Sequence, residues 1–463
     1  MKKNKLLHNI SISIFVQVVS LLTSFVVSLI VPRYIDILDY SHWQTYVLYS
    51  SYVSIFQFGL IDGFILKYAQ YDYEQLDKAE IRSQLQIFLL FLISISLLTI
   101  TIALLFLDGI LRTLAILLAI SIIIKNHFWY SSTLCQITNR IDKYSKITIL
   151  QKVSYIVGIV ILLFFGVKEF YWFCLADIFG DILSGLLAVK YNRELIIGKI
   201  GNIRNTFKGI RGNIKCGIVL LLANYSTSLI IGAAKMLVQL KWGDIVFGKL
   251  SFGFSLTNLF LTFITAISVV LFPSLKRIDK NRLPSMYVRI RRLSTSIMFL
   301  SLAFYYPIAL FINVWVPKYV ESIRYMLYLL PLVVFVTRTN LLTNNYLKIF
   351  RLEKQMFIIN ITFAILGITM YSIFVFLLES IIGVLISIVV IELLKFFISE
   401  IVVGKAIKIK NSINMLFESA LVFVFYFVML KFKPLLATIT YTILCLIYIF
   451  YLLFNKNVEK ELC

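Results

Sequence analysis

Apolar runs of about 20 residues follow one another along almost the whole 463-residue chain. A run of that length crosses the hydrocarbon core of a bilayer as an α-helix. Barrel strands are about half as long and alternate in polarity, which these runs do not. Inside lipid, each backbone amide must be satisfied by protein, so few folds remain open. The sequence predicts an all-α integral membrane protein. About fourteen spans are predicted, near 9–31, 44–67, 84–106, 112–136, 147–166, 170–189, 216–239, 245–273, 293–315, 323–346, 356–377, 380–402, 412–430 and 435–454. The composition agrees: 60% of residues are hydrophobic and 15% charged, against roughly 45–50% and 25% in soluble domains.

The net charge of +22 raises nucleic acid as a partner, and the placement of the charge excludes it. The most basic stretch is Lys190–Lys215, KYNRELIIGKIGNIRNTFKGIRGNIK, with Glu194 as its one acid. Apolar spans bracket it on both sides. Lys and Arg beside a span resist translocation, so such loops stay cytoplasmic. With the N-terminus inside and the spans alternating, most of the 45 Lys and Arg fall inside. They lie in Arg140–Lys146, Lys190–Lys215, Lys276–Arg292, Lys348–Lys354 and Lys405–Lys410. Both termini come out cytoplasmic in a multi-pass inner-membrane protein. The inside loop Asp72–Glu80 is rich in acids, which weigh little in orientation. Lys2, Lys3 and Lys5 resemble the start of a signal peptide, but the apolar part is too long and lacks a small-residue cleavage site. It is read as a retained first span.

The outside loops are short, the longest lying around Arg33–Ser41. They leave no room for the catalytic domain of a membrane glycosyltransferase or polymerase. No HExxH, GxSxG or P-loop pattern occurs, and His8, His42 and His127 are scattered. Cys135, Cys174, Cys216, Cys445 and Cys463 show no paired spacing, so neither a disulfide framework nor a metal site is expected. Cys463 is the last residue, which excludes a prenylation motif. The chain is not expected to be an enzyme or to carry a cofactor.

Charges at membrane depth cost at least ~2.5–3.5 kcal/mol each, so they face partners or a watery cavity. Asp62 either pairs locally with Lys67 or serves as a cavity carboxylate that binds a coupling cation. Lys67 either snorkels to inner headgroups or lines the inner mouth of the cavity. Lys125, in the run Lys125-Asn126-His127, is assigned to the cavity, and His127 to structural hydrogen bonding. Asp177 and Asp181 are four residues apart and share one helix face. They are candidates for ion coupling, or for an ion pair with a nearby Lys. Lys235 and Lys249 either snorkel outward or line the cavity. Arg338 lies deeper, and its guanidinium suits bidentate phosphate binding. Glu392 and Lys395, three apart, neutralise one another. Asn224, Tyr225, Asn258 and Asn340 are candidate sugar contacts, or else bond helix to helix. The basic balance of Lys125, Lys235, Lys249, Lys395 and Arg338 suits an anionic headgroup better than a cationic drug.

Several patches resemble the Wzx-type oligosaccharide flippases of the MOP superfamily, which also holds the MATE exporters and the lipid II flippase. In the first span these are Asn9, Phe15, Gln17, Ser20 and Ser24-Phe25, then Val31-Pro32-Arg33-Tyr34. Trp43 follows, and then Gly59-Leu60-Ile61-Asp62-Gly63-Phe64-Ile65-Leu66-Lys67-Tyr68. Gly248–Phe254 and Leu271-Phe272-Pro273-Ser274-Leu275-Lys276-Arg277 are similar to the two ends of the family's eighth helix. Many relatives carry an acid before the basic residue of the seventh helix, where this chain has Ala234-Lys235. The resemblance implies two pseudo-symmetric six-helix bundles, 1–189 and 216–403, joined by the basic linker 190–215. Two further spans and a cytoplasmic tail, 404–463, complete the chain. Glu418, Lys431 and Lys433 are placed at the ends of that pair, which is given no polar role. The implied function is flipping an undecaprenyl-diphosphate-linked oligosaccharide repeat unit for surface polysaccharide such as capsule or O-antigen. Alternatives are a MATE-like small-molecule exporter and a lipid II flippase. Implied partners are membrane lipids, H+ or Na+ as coupling ion, and a polysaccharide polymerase.

Overall fold

A computed structural model describes residues 2–69, 71–275, 282–409 and 412–454. Side chains of 2–11, 13–14, 263–275, 412–414 and 453–454 are not described. The chain is all-α: the described residues form helices and no strand. They divide into two compact units, Met1–Tyr225 and Ser226–Cys463. Nine helices are long and apolar enough to cross a membrane among the described residues, or up to eleven if each of two bent pairs is one span.

The first unit holds α1 (Lys2–Phe25), α2 (Ile37–Ser50), α3 (Leu60–Tyr68), α4 (Lys78–Phe106), α5 (Gly109–Ile137), α6 (Ile141–Phe164) and α7 (Phe170–Tyr191). The next helix, α8 (Ile203–Leu275), begins in it. α4 starts where Asp77 accepts hydrogen bonds from the amides of Ala79 and Glu80, at 3.1 and 3.0 Å. That side chain satisfies amides that a helix start leaves orphaned. The predicted straight span 44–67 is broken instead. Phe58 and Gly59 take left-handed φ values of 50° and 87°, which separate α2 from α3. Close backbone packing fixes this break. A Cβ on Gly59 or Gly63 would overlap the backbone of α8 at Ile218 or Asn213. One on Gly217 would overlap the Gly59 carbonyl. The glycines let two helix backbones touch, as small residues do between membrane helices.

In α8 the helical path breaks at Gly243 (φ 77°, ψ −177°), between the two predicted spans 216–239 and 245–273. The second unit continues with α9 (Leu283–Leu302), α10 (Tyr305–Trp315), α11 (Val320–Leu329), α12 (Leu332–Arg338), α13 (Asn344–Ile349), α14 (Glu353–Ser372), α15 (Ile381–Ile407), α16 (Ser412–Lys431) and α17 (Pro434–Phe454). The predicted spans 293–315 and 323–346 are each bent, by 45° and 50°. The second bend falls at Pro331, which has no amide to donate to the preceding turn. The predicted inside loop Lys276–Arg292 is shorter than expected, because α9 already begins at Leu283 ahead of Pro284. Arg291 is therefore a helix residue and buried. Outward faces carry large apolar side chains, among them Leu105, Phe106, Phe164 and Val314. Such surfaces are tolerated where lipid replaces water.

Candidate functional site: ionisable groups at membrane depth

In the first unit, α5 packs on α7 and brings three predicted residues together. Lys125 Nζ lies 2.6 Å from Asp177 Oδ2 and 2.9 Å from Asp181 Oδ2. The i,i+4 spacing puts both carboxylates on the α7 face turned to α5. Gln151 of α6 donates to Asp181 Oδ1 at 2.5 Å. Tyr46 of α2 donates to Asp177 at 3.3 Å and shares a 2.9 Å hydrogen bond with Ser121. Asp181 is 1% exposed, and Asp177 keeps 23% of its side chain open. With one ammonium between two carboxylates, the cluster holds a formal charge of −1 if all three are ionised. Charge that Lys125 offers is already taken up, and the accessible edge of the cluster is a carboxylate. Of the two readings of Asp177 and Asp181, an ion pair with a nearby Lys is the arrangement present. Gln151 and Tyr46 were not singled out in sequence, since a lone Gln or Tyr in a span carries no spacing signal.

Asp62 is buried, and its partner is Gln57, whose amide donates at 3.2 Å. The same Gln57 accepts from the Ile61 amide at 2.8 Å and so caps the start of α3. Lys67 is exposed, with its ammonium 4.8 Å from the Tyr68 ring centre. The predicted Asp62–Lys67 pair is not formed. Five residues span more than a full helical turn, which sets the two on different faces. His127 is half-buried, and its buried Nδ1 has no hydrogen-bond partner among the described residues. That orphan nitrogen departs from the structural hydrogen bonding expected of it.

In the second unit, Lys235 on α8 sits over the Phe254 ring at 4.6 Å. Among the described residues it has no ion-pair partner. Lys249 meets Glu321 at 2.8 Å. Glu392 and Lys395 pair at 2.7 Å, both 1% exposed, as the three-residue spacing predicts. Arg338 is buried in a four-charge network. Its Nη2 lies 3.6 Å from Glu400 and 3.4 Å from Glu418, and its Nη1 donates to Thr295. Arg291 Nη2 lies 3.5 Å from the other Glu418 oxygen. Two arginines and two glutamates thus cancel across α9, α12, α15 and α16. Glu418 corrects the expectation for the terminal pair: it lies well inside α16, is 2% exposed, and binds that helix to the unit. Arg291 and Glu400 were missed, the first because it was assigned to a loop and the second because its partner lies far along the chain.

Asn224 and Asn258 are exposed in their helices. Tyr225 packs against Tyr52 with ring centres 6.0 Å apart. Asn340 accepts from Asn344 at 3.1 Å within a π-helical turn, Thr339–Thr343. Such turns are frequent at functional sites. Of the resemblance patches, Leu271–Leu275 lies in α8 without described side chains, and Lys276-Arg277 lies outside the described residues.

No family model and no curated protein matches the sequence. Solved structures match its fold. The lipid II flippase MurJ in an inward closed conformation superposes with a TM-score of 0.66 at 14% identity, covering 96% of this chain and 98% of that one. The fold of this chain resembles that of MOP-superfamily transporters. An inward-facing multidrug resistance MATE family transporter of that superfamily gives a TM-score of 0.64 at 15% identity, covering 82% of this chain and 95% of that one. A MOP superfamily transporter from Pyrococcus furiosus, described as having a binding pocket of reversed polarity, gives 0.54 at 14% identity, with 86% and 94% covered.

Proposed function

We propose that this MOP-fold chain flips an undecaprenyl-diphosphate-linked oligosaccharide repeat unit across the bacterial cytoplasmic membrane by alternating access. One observation carries the proposal: Lys235 is a membrane-depth cation with an aromatic ring and, among the described residues, no carboxylate beside it. An ammonium in that setting gains most from an anionic ligand, because no carboxylate among the described residues competes for it. The diphosphate is the ligand we assign to it. Lys67 is the candidate for meeting the diphosphate at the inner mouth. Lys125, Lys249 and Arg338 hold carboxylates, so any phosphate contact from them requires an exchange of partners.

Asp177, Asp181 and Lys125 are the proposed coupling group. A proton or Na+ on the open Asp177 edge would compete with Lys125 for the same oxygens. Coupling then follows only if the ion binds one conformation more tightly than the other. Asp62 is a second carboxylate for the same role. Sugar contacts are assigned to Asn224, Tyr225, Asn258 and Asn340, and both termini to the cytoplasm. The near-complete overlap with a lipid flippase fits this reading, whereas the multidrug transporter covers a smaller share of the chain.

A deletion strain tests the proposal. Loss of surface polysaccharide, restored by wild type and not by Lys235→Ala, supports it. Normal polysaccharide with raised drug sensitivity favours the small-molecule exporter. Lysis with accumulated lipid II favours the lipid II flippase.

A further inference from the structure

The stretch between α7 and the membrane-crossing part of α8 has a surface that the transport reading does not use. It belongs wholly to the first unit. Ile197, Ile200, Ile203 and Phe207 are each at least half exposed, at 55%, 50%, 61% and 56%. Within α8 the residues sort by face at about 100° per residue. Thr206, Gly209, Asn213 and Gly217 form the inward face. Asn213 donates to Gln84 of α4 at 2.8 Å, and a Cβ on Gly209 would meet Gln84 and Glu80. Ile203 and Phe207 form an apolar stripe beside it. Arg204, Lys208, Arg211 and Lys215 form the next stripe, and all four are exposed.

The preceding turn is held in place. Arg82 of α4 donates to the Glu194 carbonyl at 2.7 Å and to the Lys199 carbonyl at 3.4 Å. Gln86 donates to the Gly198 carbonyl at 3.0 Å. The exposed isoleucines therefore project from an anchored segment. This segment lies at the end of the unit where α4 begins and α7 ends. Arg140, between α5 and α6, is there too: it donates to the Tyr191 carbonyl at 3.0 Å and stacks on Tyr73 at 3.9 Å. The one acid of the stretch, Glu194, is paired with Lys78 from outside it. Among the described residues, none of Lys190, Arg193, Lys199, Arg204, Lys208, Arg211 and Lys215 has an ion-pair partner.

We infer that residues 197–215 are an interfacial element that binds anionic lipid headgroups on the basic side of the membrane, with the four apolar side chains inserted below them. An apolar stripe beside a basic stripe suits the headgroup–acyl boundary, where each finds its own medium. Unpaired lysines and arginines near an anionic leaflet are drawn to it over about a Debye length. A water-facing loop would gain nothing from four exposed large apolar side chains placed beside the charge. A soluble acidic partner, protein or RNA, would match the charge and leave the apolar stripe unexplained.

The test uses the full-length chain in nanodiscs. Ile200→Cys carries a fluorophore in a background of Cys216→Ser and Cys463→Ser, and the discs contain headgroup-labelled quencher lipid. The inference expects quenching in discs rich in phosphatidylglycerol and little in phosphatidylcholine discs. Raising salt to ~1 M, where screening acts within about 3 Å, should remove most of the difference without any mutation. The variant Arg204→Gln, Lys208→Gln, Arg211→Gln should lose the phosphatidylglycerol dependence. Quenching that is absent from anionic discs, or equal in the two lipids, overturns the inference. So does protection of the label only on adding poly-glutamate or RNA, which would assign the surface to a soluble acidic partner.

Discussion

Lys125 and Asp181 meet at 2.9 Å between α5 and α7, and the same ammonium reaches Asp177 at 2.6 Å. A single lysine thus compensates two carboxylates at membrane depth. Removing it leaves both uncompensated. Lys125→Met is expected to destabilise the protein by about 3–5 kcal/mol, the cost typical of breaking a buried ion pair from one side. Thermal unfolding of the detergent-solubilised protein, followed by fluorescence-detected size exclusion, checks this. Combining it with Asp177→Asn and Asp181→Asn should recover most of the loss, because the uncompensated charges go too. A triple variant no more stable than Lys125→Met contradicts the assignment.

Arg338 and Glu418 make the parallel prediction for the second unit. Arg338→Met leaves Glu400 and Glu418 short of positive charge, again with an expected cost of about 3–5 kcal/mol. Glu418→Gln should be milder, since it removes one charge and keeps a polar side chain of the same shape. A double-mutant cycle between the two should return a coupling of about 0.5–3 kcal/mol. Strict additivity would show that α16 is not held through this contact.

The glycine contact between α3 and α8 gives a prediction with an internal control. A Cβ on Gly63 overlaps the Asn213 carbonyl, whereas one on Gly212 meets nothing within 4 Å. Gly63→Ala should cost about 1–3 kcal/mol through forced separation of the helices. Gly212→Ala, on the open face of the partner helix α8, should be neutral or stabilising by up to ~1 kcal/mol. Equal melting shifts for the two would remove the close approach as the reason for these glycines.

The Lys78–Glu194 pair, outside the spans, sets a pH dependence. The ammonium beside Glu194 holds its carboxyl below the usual glutamate range, and the same contact raises Lys78. A lowered carboxylate contributes fully above its unfolded value and loses that contribution as pH falls through the folded one. A raised lysine contributes below its unfolded value and loses that as pH rises through the folded one. Docking of residues 194–201 on α4 should thus weaken on moving through the glutamate range into acid, and again in strong alkali. Hydrogen exchange of those amides measures it, after correction for the intrinsic pH dependence of exchange. Protection in Glu194→Gln should lose the acid limb. An unchanged acid limb in that variant would assign it to other groups.

Much of the fold was legible because lipid leaves a chain so few options. Runs of spanning length, bracketed by Lys and Arg, gave the helices, and two charges three or four apart on one helix gave Glu392–Lys395 and the Asp177–Asp181 face. What escaped depends on contacts between distant segments. The break at Phe58-Gly59 follows from Gly217, more than 150 residues away in sequence. The partners of Arg338 come from three other helices, so neither Arg291 nor Glu418 announced itself locally. Lys125 was recognised as a functional candidate from its neighbours Asn126 and His127, but its two carboxylate partners lie on α7, and only the packing of the two helices joined them.

The most direct measurement is transbilayer movement of a fluorescent undecaprenyl-diphosphate oligosaccharide in liposomes containing the purified protein. Wild type is compared with Lys235→Ala and with Lys235→Arg. The account predicts transport by wild type, a loss of about tenfold or more in Lys235→Ala, as removal of one charge-assisted contact of ~1.5–3 kcal/mol implies, and partial retention in Lys235→Arg. Transport that Lys235→Ala leaves untouched would contradict the assignment of the diphosphate to Lys235. No movement of any lipid-linked sugar by the wild-type protein would contradict the proposed function itself.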